Sequence, residues 1–220
     1  MNFHAARLNM VEGQVKPNKV TDKALIDIFR SLPKEDFFPE NAKSLAYSDE
    51  CVEIFEGRYA LSPMVFARML QEVDIKKHEV VLDVGCLTGY STAVMAQLAE
   101  MVIGLAQNDE IAKLAEESLQ HEDYCNTVIA SGDLNNGLEK QSPYDVIFIN
   151  GAISEIPEAL LRQLNNGGRL VCVWKEEAER SCSKAVLFLK DLEGQITKKE
   201  LFDADVPFIP GFEPKKAFSF

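Results

Sequence analysis

Residues 80–91, Val-Val-Leu-Asp-Val-Gly-Cys-Leu-Thr-Gly-Tyr-Ser, constrain the fold of this chain more than any other stretch. The apolar, β-branched start has the pattern of a strand buried on both faces. Gly85 and Gly89 break that run, and residues 92–99 restart as a sequence of strong helix formers. Strand, glycine turn and helix together make the first unit of a nucleotide-binding α/β domain. Its turn amides point out at the positive end of a helix, toward an anionic or polar ligand group. The spacing is Gly-x-x-x-Gly, not the Gly-x-Gly-x-x-Gly of dinucleotide sites, so the turn alone does not name a ligand. A tight reversal with glycines that only ease helix packing has the same pattern.

The alternation that follows extends this unit into a sheet. Strands are predicted at 79–84, 102–105, 127–130, 144–149 and 169–174, with helices at 90–99, 110–119 and 157–164 between them. Strands separated by helices imply right-handed crossovers and a parallel sheet covered on both faces. The end differs: 184–190 and 195–202 flank Asp191-Leu192-Glu193-Gly194, the pattern of an antiparallel hairpin. Ahead of the sheet, helices are expected at 3–11 and 23–32. The second is capped by Thr21 or Asp22, carries Leu25, Ile28, Phe29 and Leu32 on one face, and is stopped by Pro33. Residues 34–39 read as an exposed charge cluster followed by an aromatic anchor. Ser62-Pro63 suits the start of a helix at 64–73, with Ser62 as N-cap. The expected organisation is one domain over 1–220: a helical cap (1–60), a parallel α/β core (61–178) and a hairpin with an aromatic tail (179–220).

Composition removes several function classes. The net charge of −12 over 220 residues argues against nucleic acid and against anionic membrane surfaces, both of which attract basic proteins. No run approaches the roughly 20 apolar residues that span a bilayer, and residues 1–16 lack a signal-peptide apolar core. The five cysteines (Cys51, Cys86, Cys125, Cys172 and Cys182) are widely spaced, which suits a reduced, cytoplasmic protein. His4, His78 and His121 stand apart from other ligand-type residues, so no metal site is expected.

Further motifs carry a resemblance across nearly the whole length. They are Gln14 through Asp22, Leu32-Pro33-Lys34-Glu35-Asp36-Phe37-Phe38-Pro39, and Ala46-Tyr47-Ser48-Asp49. Pro143-Tyr144-Asp145 and Ala152 follow, with Pro157-Glu158-Ala159-Leu160-Leu161 and Gly167-Gly168-Arg169-Leu170-Val171. The last is Leu201-Phe202-Asp203 with Val206, Phe208 and Pro210. Together with the glycine turn, these resemble the protein-L-isoaspartate O-methyltransferase family. The resemblance implies a Rossmann-like class I methyltransferase fold: a three-layer α/β sandwich whose mostly parallel sheet is closed by an antiparallel hairpin. It implies methyl transfer from S-adenosylmethionine, leaving S-adenosylhomocysteine, to the α-carboxylate of isoaspartyl residues in damaged peptides or proteins. The ester then collapses to a succinimide, a repair route. The expected protein is a monomer or small homo-oligomer.

The same resemblance implies cofactor contacts at Asp83, Gly85, Cys86, Thr88, Gly89, Tyr90, Gln107, Gly132, Asp133, Leu134 and Asn150. It places substrate contacts at Leu61, Pro63, Met64, Phe208 and Pro210, and a catalytic part at Ser62 beside its capping role. For Asp83, reaching the cofactor's amino group and capping the turn's own amides are both open. Three positions depart from the pattern. Leu87 replaces the middle glycine of the turn, Ala106 replaces the acid that ends the second strand, and Leu61 falls where the family has a serine. These departures also admit a methyltransferase with another substrate, or a binding protein that keeps only the fold.

Overall fold

A computed structural model describes residues 2–121, 124–176 and 183–214; Cys182 and the last residues of the aromatic tail, 215–220, lie outside them. The chain opens with helix α1 (Phe3–Met10), which runs on through a wider π-type turn at Val11–Val15. Helix α2 (Lys23–Ser31) starts where the Asp22 carboxylate accepts from the Leu25 N–H at 3.0 Å, and it turns Leu25, Ile28 and Phe29 inward. A short antiparallel hairpin follows, β1 (Val52–Phe55) and β2 (Arg58–Ala60), in a region expected to be purely helical. Each strand is too short to show a clear alternation, and the hairpin borrows its stability from the cleft beneath it. Helix α3 (Pro63–Val73) then begins with Ser62 at the N-cap position, but the Ser62 hydroxyl makes no capping bond.

The core alternates as expected: β3 (Val80–Val84), α4 (Tyr90–Ala96), β4 (Met101–Ala106), α5 (Asp109–His121), β5 (Thr127–Ser131), β6 (Tyr144–Ile153), α6 (Glu158–Gln163) and β7 (Leu164–Trp174). Strands β8 (Lys184–Lys190) and β9 (Ile196–Asp203) complete a seven-stranded sheet in the order β5-β4-β3-β6-β7-β8-β9. The first five of these pair in parallel and the last two pair antiparallel. Some boundaries shift, and β6 runs on past 149 to Ile153. Helix α4 ends earlier than 99, and 165–168, read as a turn, is counted within β7 beside a register shift against β6. The sheet is apolar on both faces, and one continuous cluster joins α1, α2 and α3 to it through Phe29, Phe66, Val81 and Phe148. The cap is therefore packed on one face of the sheet, and its Phe37 and Arg58 segments reach the carboxyl end of β3, where open α/β sheets hold their ligands.

Candidate functional site

The glycine turn between β3 and α4 is built as its sequence requires. Gly85 and Gly89 both take positive φ (77° and 92°), and so does Leu87 at 51°. A leucine there keeps the glycine-like path at a cost of about 1 kcal/mol. Its side chain is buried in the main core, which offsets that strain. The Gly85 and Cys86 amides do not face outward as expected; both donate to the Leu105 carbonyl, at 2.9 and 3.2 Å. Among the described residues the Leu87 and Thr88 amides have no such acceptor. They are the turn's unsatisfied donors. The Thr88 hydroxyl is tied across to the cap, donating to the Phe37 carbonyl.

Asp83 is fully buried at the end of β3. Its carboxylate accepts from the Ser91 hydroxyl (2.7 Å), the Thr92 hydroxyl (2.6 Å) and the Asn150 amide. It does not cap the turn's own amides. Burial pushes its carboxyl up to about 6, against the opposing pull of those three hydrogen bonds and of Arg58. Asn150 is thereby fixed at the cleft, beside Cys86 and Tyr90.

The acid missing from β4 is replaced by packing. Ala106 sits with Cys86, Ile111, Ala112 and Ala115, and Phe55 of the hairpin packs on this cluster. Arg58, next on the hairpin, is 2% exposed and lays its guanidinium over the turn. It donates to the Gly85 carbonyl at 3.0 Å and to Gln107 Oε1 at 2.7 Å. A Cβ added to Gly85 would lie 2.5 Å from Arg58 Nη2, so the space that glycine opens is filled by the chain itself. Desolvation pulls the guanidinium down to about 10, against the opposing influence of Cys86 and Asp83. Asp109, near the missing acid in sequence, accepts from the Ser131 hydroxyl instead. Gly132 donates to the Ala106 carbonyl (2.9 Å), Asp133 is exposed and accepts from the Asn135 amide (2.9 Å), and Leu134 is buried in the second core cluster.

On the cap side, Leu61, Ser62 and Pro63 are buried and Met64 is half-buried. Phe208 is half-buried beside Ala152, with the Lys175 ammonium 5.6 Å from its ring centroid. Exposed Pro210 lies against the Gly57 turn of the hairpin. The structure thus brings Leu61, Cys86, Leu87, Thr88, Tyr90 and Asn150 to one cavity of about 30 Å³. The 132–134 loop and Phe208 stand apart from it.

Two residues not named among the expected contacts stand here: Lys34 lines this cavity, and Arg58 lies on Gly85 of the adjoining turn. The charge cluster at 34–39 is not exposed at its start, because Lys34 and Glu35 are both buried. Glu35 accepts from Arg7 Nη2 (2.9 Å) and from the Tyr47 hydroxyl. The signal for that burial lies in the Leu-Pro before and the Phe-Phe-Pro after, which bracket the charges with anchors.

The sequence profile of the protein-L-isoaspartate(D-aspartate) O-methyltransferase family matches residues 6–214. A protein-L-isoaspartate O-methyltransferase of Methanoculleus marisnigri is 32% identical over 204 residues, 93% of this chain and 90% of that protein. One from Koribacter versatilis is 31% identical over 218 residues, 97% and 96% of the two chains. A solved protein-L-isoaspartate O-methyltransferase superposes with a TM-score of 0.80 at 24% identity, over 94% of this chain and 67% of that one. A Plasmodium falciparum structure described as a putative member in complex with S-adenosyl-L-homocysteine gives 0.74 at 21% identity, over 94% and 97%.

Proposed function

This chain belongs to the protein-L-isoaspartate O-methyltransferase family, and on that premise we propose that it methylates the α-carboxylate of isoaspartyl residues in damaged proteins, using S-adenosylmethionine. The observation that carries the reading is the family match over residues 6–214. The groups present fit that cofactor in kind. Orphaned amides at Leu87 and Thr88, the Asp83–Asn150 pair, Gln107 and the 132–134 loop all stand at the carboxyl ends of β3 to β6.

When bound, S-adenosylmethionine supplies an electrophilic methyl on a sulfonium sulfur and leaves as S-adenosylhomocysteine. The chain's own part is positional. A carboxylate needs no general base to attack a methyl group, so orientation supplies most of the rate. Leu61, Phe66 and Leu87 give the cavity beside the turn an apolar lining. Asp83 holds Asn150, and Ser91 and Thr92 hold Asp83, which keeps the turn rigid. Ser62, the serine expected to take a catalytic part, is buried at the N-cap position of α3 without a capping bond, one residue after Leu61 of this wall.

Arg58 has to leave Gly85 for a nucleoside-sized ligand to reach the turn. The cavity of about 30 Å³ is far below the ~300 Å³ or more of small-molecule sites. The neutral partners of Arg58, one carbonyl and one amide oxygen, make that exchange feasible, because no ion pair has to break. A reduced, cytoplasmic setting belongs to the same reading, supported by free thiols at Cys51, Cys86 and Cys172 among the described residues. No described helix is long and apolar enough to cross a membrane.

Calorimetric titration of S-adenosylhomocysteine, followed by methylation of an isoaspartyl peptide, tests this function. Micromolar binding and transfer to the isoaspartyl peptide but not to its aspartyl counterpart are expected. No binding at millimolar ligand overturns the reading.

A further inference from the structure

Lys34 is 3% exposed, and its ammonium lies 5.3 Å from the Phe38 ring centroid and 5.4 Å from that of Tyr90. Both acids beside it in sequence are engaged elsewhere, Glu35 with Arg7 (2.9 Å) and Asp36 with Lys43 (3.7 Å). Among the described residues no oxygen accepts a hydrogen bond from Lys34 and no carboxylate pairs with it; the two rings and the nearby Cys51 thiol are what face the charge. The side chain lines the cavity that also holds Leu61, Leu87, Thr88 and Asn150. At about 30 Å³ this space takes roughly two water-sized groups, the size of one carboxylate. An ammonium that reaches solvent only through this cavity and has no oxygen partner carries a desolvation penalty that an anionic ligand removes.

We propose that Lys34 is the recognition residue for the methyl-accepting carboxylate, binding the α-carboxylate of the isoaspartyl residue through one oxygen and leaving the other free to react. This rests on the methyltransferase reading above. Leu61, which stands where the family resemblance places a serine, removes a hydroxyl from this wall, and Lys34 supplies a charge to it instead. Lys34 gains and loses no proton in this role. Methylation forms an O–CH3 bond and the methyl–sulfur bond breaks with its electron pair going to sulfur, so the carboxylate's negative charge disappears. The ion pair disappears with it, and the neutral ester is held less tightly than the acid that entered. Burial pulls the Lys34 ammonium down to about 8, opposed by the nearby Cys51 thiol, so the amine is still mostly charged at neutral pH.

The test titrates an isoaspartyl peptide and its α-carboxamide counterpart into the full chain, with S-adenosylhomocysteine present and absent. Wild type, Lys34→Met and Lys34→Arg are compared. The wild type is expected to prefer the acid over the amide at least tenfold. Lys34→Met should lose that preference while binding the amide as before, and Lys34→Arg should retain most of it. In turnover, Lys34→Met should raise the peptide KM about tenfold or more and leave the KM for S-adenosylmethionine unchanged. Thermal unfolding of both variants shows that they fold. A wild type that binds neither peptide, or binds both alike, overturns the proposal, as does a Lys34→Met variant that keeps the preference. Acid preference that depends on Lys34 without methyl transfer leaves this inference standing and removes the enzyme reading. Transfer with unchanged kinetics in Lys34→Met does the reverse.

Discussion

Arg7 and Lys34 are two buried cations in the same N-terminal cap, and the cap treats them in opposite ways. Arg7 donates from each of its three side-chain nitrogens, to the Tyr47 hydroxyl at 2.9 Å, the Ser31 carbonyl at 2.7 Å and Glu35 at 2.9 Å. Tyr47 closes the knot by donating to the second Glu35 oxygen, and burial drives its own phenol well up. Lys34 is next to Glu35 in sequence and takes no share of it. Arg58 stands between these extremes, with two neutral acceptors and no carboxylate. A cation tied to a carboxylate and to two further oxygens holds the fold together. One that is buried and unmet at a cavity is kept for a group that arrives from outside.

That contrast can be broken by substitution. Glu35→Ala strands a buried guanidinium and should destabilise the protein most, by about 3–5 kcal/mol in urea unfolding; a loss under ~1 kcal/mol would make the knot ornamental. Lys34→Met should do the opposite and stabilise the free protein by about 2 kcal/mol at pH 7. The sign follows from protons: between about 8 and 10.5 the unfolded chain holds a proton that folded Lys34 has shed. Wild-type stability therefore rises with pH across that window, and the advantage of Lys34→Met should shrink between pH 8 and pH 10.5. An advantage that does not vary with pH would mean that packing, not charge, separates the two proteins.

Arg58→Met sharpens the intermediate case. Removing the guanidinium from Gly85 should tighten S-adenosylhomocysteine binding about tenfold, ~1.4 kcal/mol, by calorimetry. Weaker binding would make Arg58 a ligand contact, not an occupant. The smallest effect belongs to Asp83, whose charge is met by three donors. Ser91→Ala should cost about 1 kcal/mol and raise the Asp83 carboxyl above its present value of about 6. Folded Asp83 keeps its proton longer than the unfolded chain, so stability falls as pH rises through about 4 to 6, and in the variant that fall should extend to higher pH. A carbon-13 titration of Asp83 reads the shift directly.

The parts legible in the sequence are those fixed by local pattern. Val80–Val84, the two glycines and the closing hairpin β8–β9 each carry their signal within about ten residues, and the structure has all of them. What escaped is decided over distance. Asp83 reads locally as a cofactor contact or a cap, but its third donor, Asn150, comes from β6. Lys34 and Glu35 read as solvated charges because Arg7 and Tyr47, which bury Glu35, lie far away in the chain. The β1–β2 hairpin is too short to register as strands, and its turn, Glu56-Gly57, has only the glycine to mark it. The missing acid at Ala106 was plain in the sequence. Its consequence, an apolar cluster that seats Phe55 of the hairpin, was not.

The guanidinium of Arg58 on the Gly85 carbonyl also sets a clock. When a chain occupies its own cleft, a ligand binds only the fraction of molecules in which the occupant has withdrawn. Raising the ligand concentration then speeds association only until withdrawal of the hairpin becomes the slow step, and beyond that the observed rate is flat. The height of that plateau is a property of Phe55, Arg58 and their neighbours alone, the same for every ligand that uses the turn.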